Sequence, residues 1–180
     1  MDRLKLATVW LGGCSGCHMS FLDLDEWLVD LAAVADLVYS PIVDVKEYPQ
    51  GVDVVLIEGA VCNTDHLEMI HRVRERTRVL VAFGDCAITG NVTAMRNPLG
   101  AAEVVLRRAY IDTAEVNAHI PVAPGIVPAL LDRVLPVHEV VPVEFFLPGC
   151  PPPVDRIRAL LNAVLEGRSP ALTGGQLKFG

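Results

Sequence analysis

Five cysteines are the residues of this chain best equipped for chemistry. One pair stands as Cys14-Ser15-Gly16-Cys17, directly after Gly12-Gly13. The others are single: Cys62, Cys86 in Gly84-Asp85-Cys86, and Cys150 in Gly149-Cys150-Pro151. A Cys-x-x-Cys pair lets two thiolates reach one metal centre from a single turn. Glycine beside a thiol permits unusual backbone angles, so that amide N–H groups can turn toward sulfur and tune a redox potential. Pro151, Pro152 and Pro153 lack N–H groups, stiffen the exit from Cys150 and place proline where a helix would begin. The N-terminus of such a helix favours an anionic cluster nearby. Three chemistries compete for these residues: an iron–sulfur cluster, a tetrahedral zinc site and a thioredoxin-like dithiol. Structural zinc more often uses two paired knuckles, and a redox dithiol has no need of the single cysteines. Cys62 reads either as a spare buried thiol or as a ligand in place of one of the others. His18, beside Cys17, reads as a surface or packing histidine sooner than as a ligand.

The elements that must position these thiols are legible from hydrophobic pattern. Leu4–Leu11 is a short apolar, β-prone run stopped by Gly12-Gly13. Similar runs cover Asp53–Glu58, Val79–Gly84 and Val143–Leu147, with a weaker one at Leu37–Ser40. From Cys17 onward, Phe21, Leu24, Leu28 and Leu31 recur at helical spacing, with Asp23, Asp25, Glu26 and Asp30 opposite. Further helical patterns lie near Thr64–Arg76, Gly100–Tyr110 and Pro153–Glu166. Strands that are continuous apolar runs, alternating with helices, predict an α/β domain with a parallel sheet covered on both faces. On that map every cysteine falls just past the carboxyl end of a strand, the edge at which open parallel sheets bind ligands. The residues from Gly174 to Gly180 read as a tail that frays or docks on a partner.

Composition narrows the function classes. The chain has 180 residues, 52% of them hydrophobic but only 6% aromatic, so its core must rest on Val, Leu, Ala and Ile. One domain over residues 1–180, with 170–180 as its tail, is the expectation at this length. A mean hydropathy of +0.40 suggests apolar surface covered by a partner. No run matches the roughly 20 apolar residues of a membrane span; the best, Leu28–Val43, is broken by Asp30, Asp36 and Pro41. A net charge of −7, from 15 basic and 22 acidic residues, argues against nucleic acid. With no cleavable signal after Met1-Asp2-Arg3, a cytoplasmic chain is expected, where thiols stay reduced and serve metals or redox chemistry.

Four stretches together resemble one family, the small subunit of nickel–iron hydrogenases, and within it the soluble NAD-reducing (bidirectional) group. They are Leu11-Gly12-Gly13-Cys14-Ser15-Gly16-Cys17, Ile57-Glu58-Gly59-Ala60-Val61, Gly84-Asp85-Cys86-Ala87 running on to Ala94-Met95-Arg96-Asn97, and Pro148-Gly149-Cys150-Pro151-Pro152. The resemblance implies a flavodoxin-like doubly wound sheet carrying one proximal [4Fe–4S] cluster. Its ligands by motif match would be Cys14, Cys17, Cys86 and Cys150, with Cys62 left out. It implies a large subunit holding the nickel–iron centre, and diaphorase iron–sulfur and flavin subunits with FMN that pass electrons to NAD. Many such subunits carry a second domain with two more clusters and, when exported, a twin-arginine leader. This sequence shows neither, so a single cluster and a cytoplasmic enzyme are the expectation. Where many relatives have a proton-carrying glutamate, two residues past the second cysteine, this chain has Met19. Glu58 is the nearest motif carboxylate left, and a carboxylate capping a backbone turn is an equally good account of it. Two alternatives remain: the quinone-side cluster subunit of respiratory NADH dehydrogenase, whose first motif has adjacent cysteines, and a flavin-binding flavodoxin-like module.

Overall fold

A computed structural model describes residues 3–179. Its strands are β1 (Leu4–Trp10), β2 (Ala35–Tyr39), β3 (Val52–Glu58), β4 (Val61–Asn63), β5 (Thr77–Phe83), β6 (Leu130–Leu135) and β7 (Phe145–Leu147). Its α-helices are α1 (Gly16–Leu22), α2 (Trp27–Val34), α3 (Thr64–Arg76), α4 (Asp85–Thr89), α5 (Asn91–Ala94), α6 (Ala102–Arg107) and α7 (Val154–Leu165). Five strands form one parallel sheet in the order β2-β1-β3-β5-β7. With β4 and β6 set aside this is the 2-1-3-4-5 order of a flavodoxin-like sheet, whose strand order reverses between β1 and β3.

The sheet is buried on both faces because its central strands carry no polar alternation. Val54, Val55, Leu56 and Ile57 of β3 are all fully enclosed. Burying each such side chain stabilises the fold by about 1.5–3 kcal/mol before chain entropy is counted. Alternate residues serve two cores. Val55 and Ile57 face Ile70 and Val73 of α3, while Val54 and Leu56 face Phe21, Leu31 and, from α7, Ile157 and Leu160.

The expected strands and helices are present with shifted ends, and the differences have local causes. The helix expected to run from Cys17 through Leu31 is two, α1 and α2, with Asp25 between them at φ +49°. Aspartate tolerates that left-handed region better than most residues, so the acidic stretch that looked like a polar helix face makes a turn. The strand expected from Val143 starts at Phe145, and the Glu144 carboxylate accepts the N–H of Leu80 beside it. The helix expected over Gly100–Tyr110 runs as α6 and then widens into a π-helical turn at Arg108–Asp112. Unanticipated was the antiparallel pair β4–β6, because Asp132 and Arg133 break the apolar run of β6. The tail makes a short 3-10 turn at Gly174–Leu177 and docks on its own chain. Arg156 of α7 donates to the carbonyls of Gly175 and Lys178, at 3.1 Å each. Gly180 lies outside the described residues. Among those residues, no helix is long and apolar enough to cross a membrane.

Candidate metal centre

The carboxyl ends of β1, β3, β5 and β7 open on one edge, and the cysteine loops leave from there. After β1 the chain meets the Glu58–Ala60 turn backbone to backbone. Leu11 N–H donates to Glu58 O at 2.8 Å, while Gly12 and Ala60 exchange both hydrogen bonds at 2.9 Å. This closeness requires Gly59, which sits at φ +88°; a Cβ there would lie 2.8–2.9 Å from backbone atoms of Gly12. Ser15 then takes φ +68°, which turns the Gly16 N–H toward Cys14 Sγ at 3.4 Å and starts α1 with Cys17 in its first turn.

Across the site, β5 is followed by Gly84, with φ +85°, where a Cβ would stand 2.2 Å from Cys17 Sγ. The thiol of the first loop therefore rests on the glycine of the third. Asp85 closes the other side: its N–H donates to Gly149 O at 3.0 Å and its Oδ1 accepts the Gly149 N–H at 2.6 Å. Asp85 is 5% exposed, so its carboxylate is a group of the interior. Arg96 donates to the carbonyls of Cys62, Leu131 and Asp132. Ser20 of α1 donates to Pro152 O at 2.6 Å, which ties the first loop to the fourth. Asn91 Nδ2 lies 3.5 Å from Cys150 Sγ.

The structure brings Cys14, Cys17, Cys86 and Cys150 together and leaves Cys62 apart. The Cys17 thiol is pushed well up by burial first, then by Glu58 and the charges of Cys86, Cys14 and Cys150. Cys86 is pushed up to about 11 by burial, then by Cys150 and Cys14, with a backbone hydrogen bond at Val92 opposing. Cys62 lies inside β4, past the end of β3, and its Sγ is 3.4 Å from Ala60 O. Burial raises its thiol while Arg96 and a hydrogen bond with Thr93 oppose, and no other cysteine contributes.

This donor set fits a cluster. Burial, Glu58 and the neighbouring thiols all raise the Cys17 thiol, so a bound cation would be the counter-charge that lets it serve as a thiolate. Among the described residues, no three Cys, His, Asp or Glu side chains are placed to hold a single metal ion. A cluster takes one thiolate per iron, and these four thiols come from the loops after β1, β5 and β7.

One feature of the site was missed. His18 and Glu58 are both buried and paired: the Glu58 carboxylate accepts the His18 backbone N–H at 2.9 Å and contacts its Nδ1. Glu58 thus does cap a backbone turn, that of α1, and also holds an imidazole that reads from sequence as surface or packing. The available signal was a carboxylate closing an otherwise apolar strand.

A doubly wound parallel sheet whose carboxyl-edge loops gather thiols defines the class: a flavodoxin-like α/β domain with four cysteines at one sheet edge. The family model described as the NADH ubiquinone oxidoreductase 20 Kd subunit matches residues 14–164. A chain of the solved NAD+-reducing [NiFe]-hydrogenase in its H2-reduced state superposes with a TM-score of 0.93 at 38% identity, covering 99% of this chain and 100% of that one. The NAD-reducing hydrogenase HoxS subunit delta of Cupriavidus necator is 37% identical over 170 residues, 92% of this chain and 80% of its own. A subunit of the vhu F420-non-reducing hydrogenase of Methanococcus voltae is 40% identical over 173 residues, 95% of this chain. The chain spans 59% of that relative's length. The chain belongs to the NADH ubiquinone oxidoreductase 20 Kd subunit family and is a homologue of hydrogenase small subunits.

Proposed function

We propose that this chain is the electron-transfer small subunit of a cytoplasmic NAD-reducing nickel–iron hydrogenase, carrying one proximal [4Fe–4S] cluster on Cys14, Cys17, Cys86 and Cys150. The gathering of those thiols at the switch-point edge, with Cys62 outside the group, carries the reading. The whole chain acts as one flavodoxin-like iron–sulfur domain. Its partners are a large subunit with the nickel–iron centre and diaphorase subunits with iron–sulfur clusters and FMN. When bound, a [4Fe–4S] cluster supplies a one-electron couple, which suits a relay between hydrogen cleavage, a two-electron event, and a hydride acceptor. The chain's own residues do the rest. Gly84 and Gly16 leave room for sulfur, Gly16 N–H and Asn91 aim dipoles at it, and burial of Cys17 excludes water. Such hydrogen bonds and burial set a cluster's potential.

The test is substitution within the assembled complex. Changing any of the four proposed ligands to alanine should lower iron content and abolish hydrogen-dependent NAD reduction. Cys62→Ala should leave iron near the wild-type level. A Cys62 variant that loses the cluster, while one of the others keeps it, rules this assignment out. The family model favours one second reading, the cluster subunit of a respiratory NADH dehydrogenase-type complex. Against it stands the separation of Cys14 and Cys17 by two residues. Hydrogen-dependent NAD reduction against NADH-dependent quinone reduction by the purified complex separates the two.

A further inference from the structure

Arg156 stands where a cation is least welcome. It lies in the first turn of α7, where the helix dipole presents its positive end. Holding so long a side chain in one geometry also costs rotamer entropy. Three carbonyls offset both. Nη1 donates to Pro148 O and, at 3.1 Å, to Lys178 O, while Nη2 donates to Gly175 O at 3.1 Å. A guanidinium carries its donors in a rigid planar fork, so one side chain joins acceptors on separate segments in a fixed relation.

The two segments it joins differ in kind. Pro148 is buried, directly follows β7 and precedes Cys150 by two residues. Its carbonyl needs a donor, and Arg156 supplies one. Gly175 and Lys178 belong to the largely exposed 3-10 turn at Gly174–Leu177 and its cap. Just before that turn Leu172 packs against the core that holds Phe21, Ile157 and Leu160. Among the described residues, the turn's other hydrogen bonds are internal to it, from Gln176 N–H to Thr173 O and from Lys178 N–H to Gly175 O. Closing the turn over the guanidinium therefore fixes a fork whose other arm holds the loop of Cys150. A loop fixed by metal fixes the same fork in return, because coupling between two places acts equally in both directions.

We propose that the segment Gly174–Lys178 is a strap, and that Arg156 is the positioning residue through which it holds Cys150 in place for the metal. The proposal rests on the reading of Cys150 as a ligand and adds what keeps that ligand from swinging away.

Iron release from the assembled complex is timed in an excess of a ferrous-iron chelator. Arg156→Ala, and a chain ended after Thr173 that keeps Leu172, should each lose iron about fivefold faster than the wild type, the low end for coupled sites. The double variant should lose it no faster than Arg156→Ala alone, because the strap acts through that guanidinium. Arg158→Ala removes an equal charge from the same helix, where Arg158 pairs with Asp155 at 3.0 Å, and should release iron as the wild type does. If Arg156→Ala does not assemble, amide exchange carries the test. The Gln176 and Lys178 amides should exchange about fivefold faster in iron-depleted complex than in loaded complex. Effects that multiply in the double variant, a truncation without effect, an Arg158→Ala loss equal to that of Arg156→Ala, or exchange indifferent to iron each overturn the strap. Cys150→Ala tells which claim has failed. If it loses iron while the strap variants keep it, the strap alone falls; if it keeps its iron, the ligand assignment falls and takes the strap with it.

Discussion

The two ends of the parallel sheet are built from different interactions. At the amino end, long side chains bridge the elements. Arg3 pairs with Asp36 at 2.7 Å, Arg74 with Glu144 at 2.8 Å and Arg78 with Asp53 at 3.4 Å, while Tyr48 and Thr77 share a buried hydrogen bond of 2.6 Å. At the carboxyl end backbone contacts join the elements, beside the side-chain donors Arg96 and Ser20. Gly12 exchanges hydrogen bonds with Ala60, Gly84 N–H reaches Leu147 O, and the inward carboxylates Glu58 and Asp85 accept backbone N–H groups. The contrast follows from what each end must hold. If the four thiols share a metal, as proposed, their loops must be closely fixed and leave space for large sulfur atoms, which glycine provides. Ion pairs suffice where only the strand starts must be kept together, and exposed ones contribute about 0–1 kcal/mol each.

The largest expected effect of breaking this contrast is at Gly59. Alanine there would combine a left-handed φ with a Cβ under 3 Å from Gly12 backbone, and no side chain can move to relieve it. Overpacking costs about 1–3 kcal/mol and the backbone strain about 1–2 more. Gly59→Ala should fail to assemble, or assemble with little iron. Full yield and iron loading would show that the first loop is not fixed by this contact.

Second in size is Asp85→Ala. It strands the buried Gly149 N–H, at about 1–3 kcal/mol, and loosens the turn that carries Cys150. Iron analysis and a thermal melt of the complex should show partial cluster loss and a lower midpoint. Equal losses from Arg78→Ala, which removes an exposed pair at the amino end, would erase the distinction between the ends.

Much of this organisation is legible in the sequence. Apolar runs fix where strands lie, and a cysteine following a glycine at a strand end fixes the rim. What escaped was long in range. His18 meets Glu58 across 40 positions and Gly149 meets Asp85 across 64, and local periodicity carries no trace of either. The acidic stretch Asp23–Glu26 was misread because charge on a helix face and charge in a turn look alike. β6 was missed for a related reason, its pairing with β4 being an antiparallel contact that neither segment announces.

The amino end offers an effect of pH. Burial pushes the Tyr48 phenol up to about 12, against its hydrogen bond with Thr77 and the charge of Arg74. A group whose pKa is raised on folding contributes its full stability below the unfolded value near 10 and loses it as pH climbs toward 12. The contribution is on the order of 2 kcal/mol. Melting midpoints taken from pH 8 to 11.5 should fall more steeply for the wild type than for Tyr48→Phe. Parallel slopes would mean that this end also relies on groups other than the phenol.

The smallest expected effect, and the most informative about the rim, is that of Asp85→Asn. Asparagine keeps an oxygen where Gly149 N–H needs an acceptor, so the turn and the iron should survive, unlike in Asp85→Ala. What changes is charge. A buried carboxylate next to Cys86 disfavours the reduced cluster, which carries one more negative charge, so its removal should raise the potential. For a one-electron couple a tenfold change in the equilibrium corresponds to about 59 mV, and a rise of a few tens of millivolts is expected. A redox titration of the complex without hydrogen measures it. A raised midpoint at full iron loading would make Asp85 both clamp and electrostatic lever. An unchanged or lowered midpoint would leave it a clamp alone, and the carboxyl end would then owe its potential to backbone dipoles and burial.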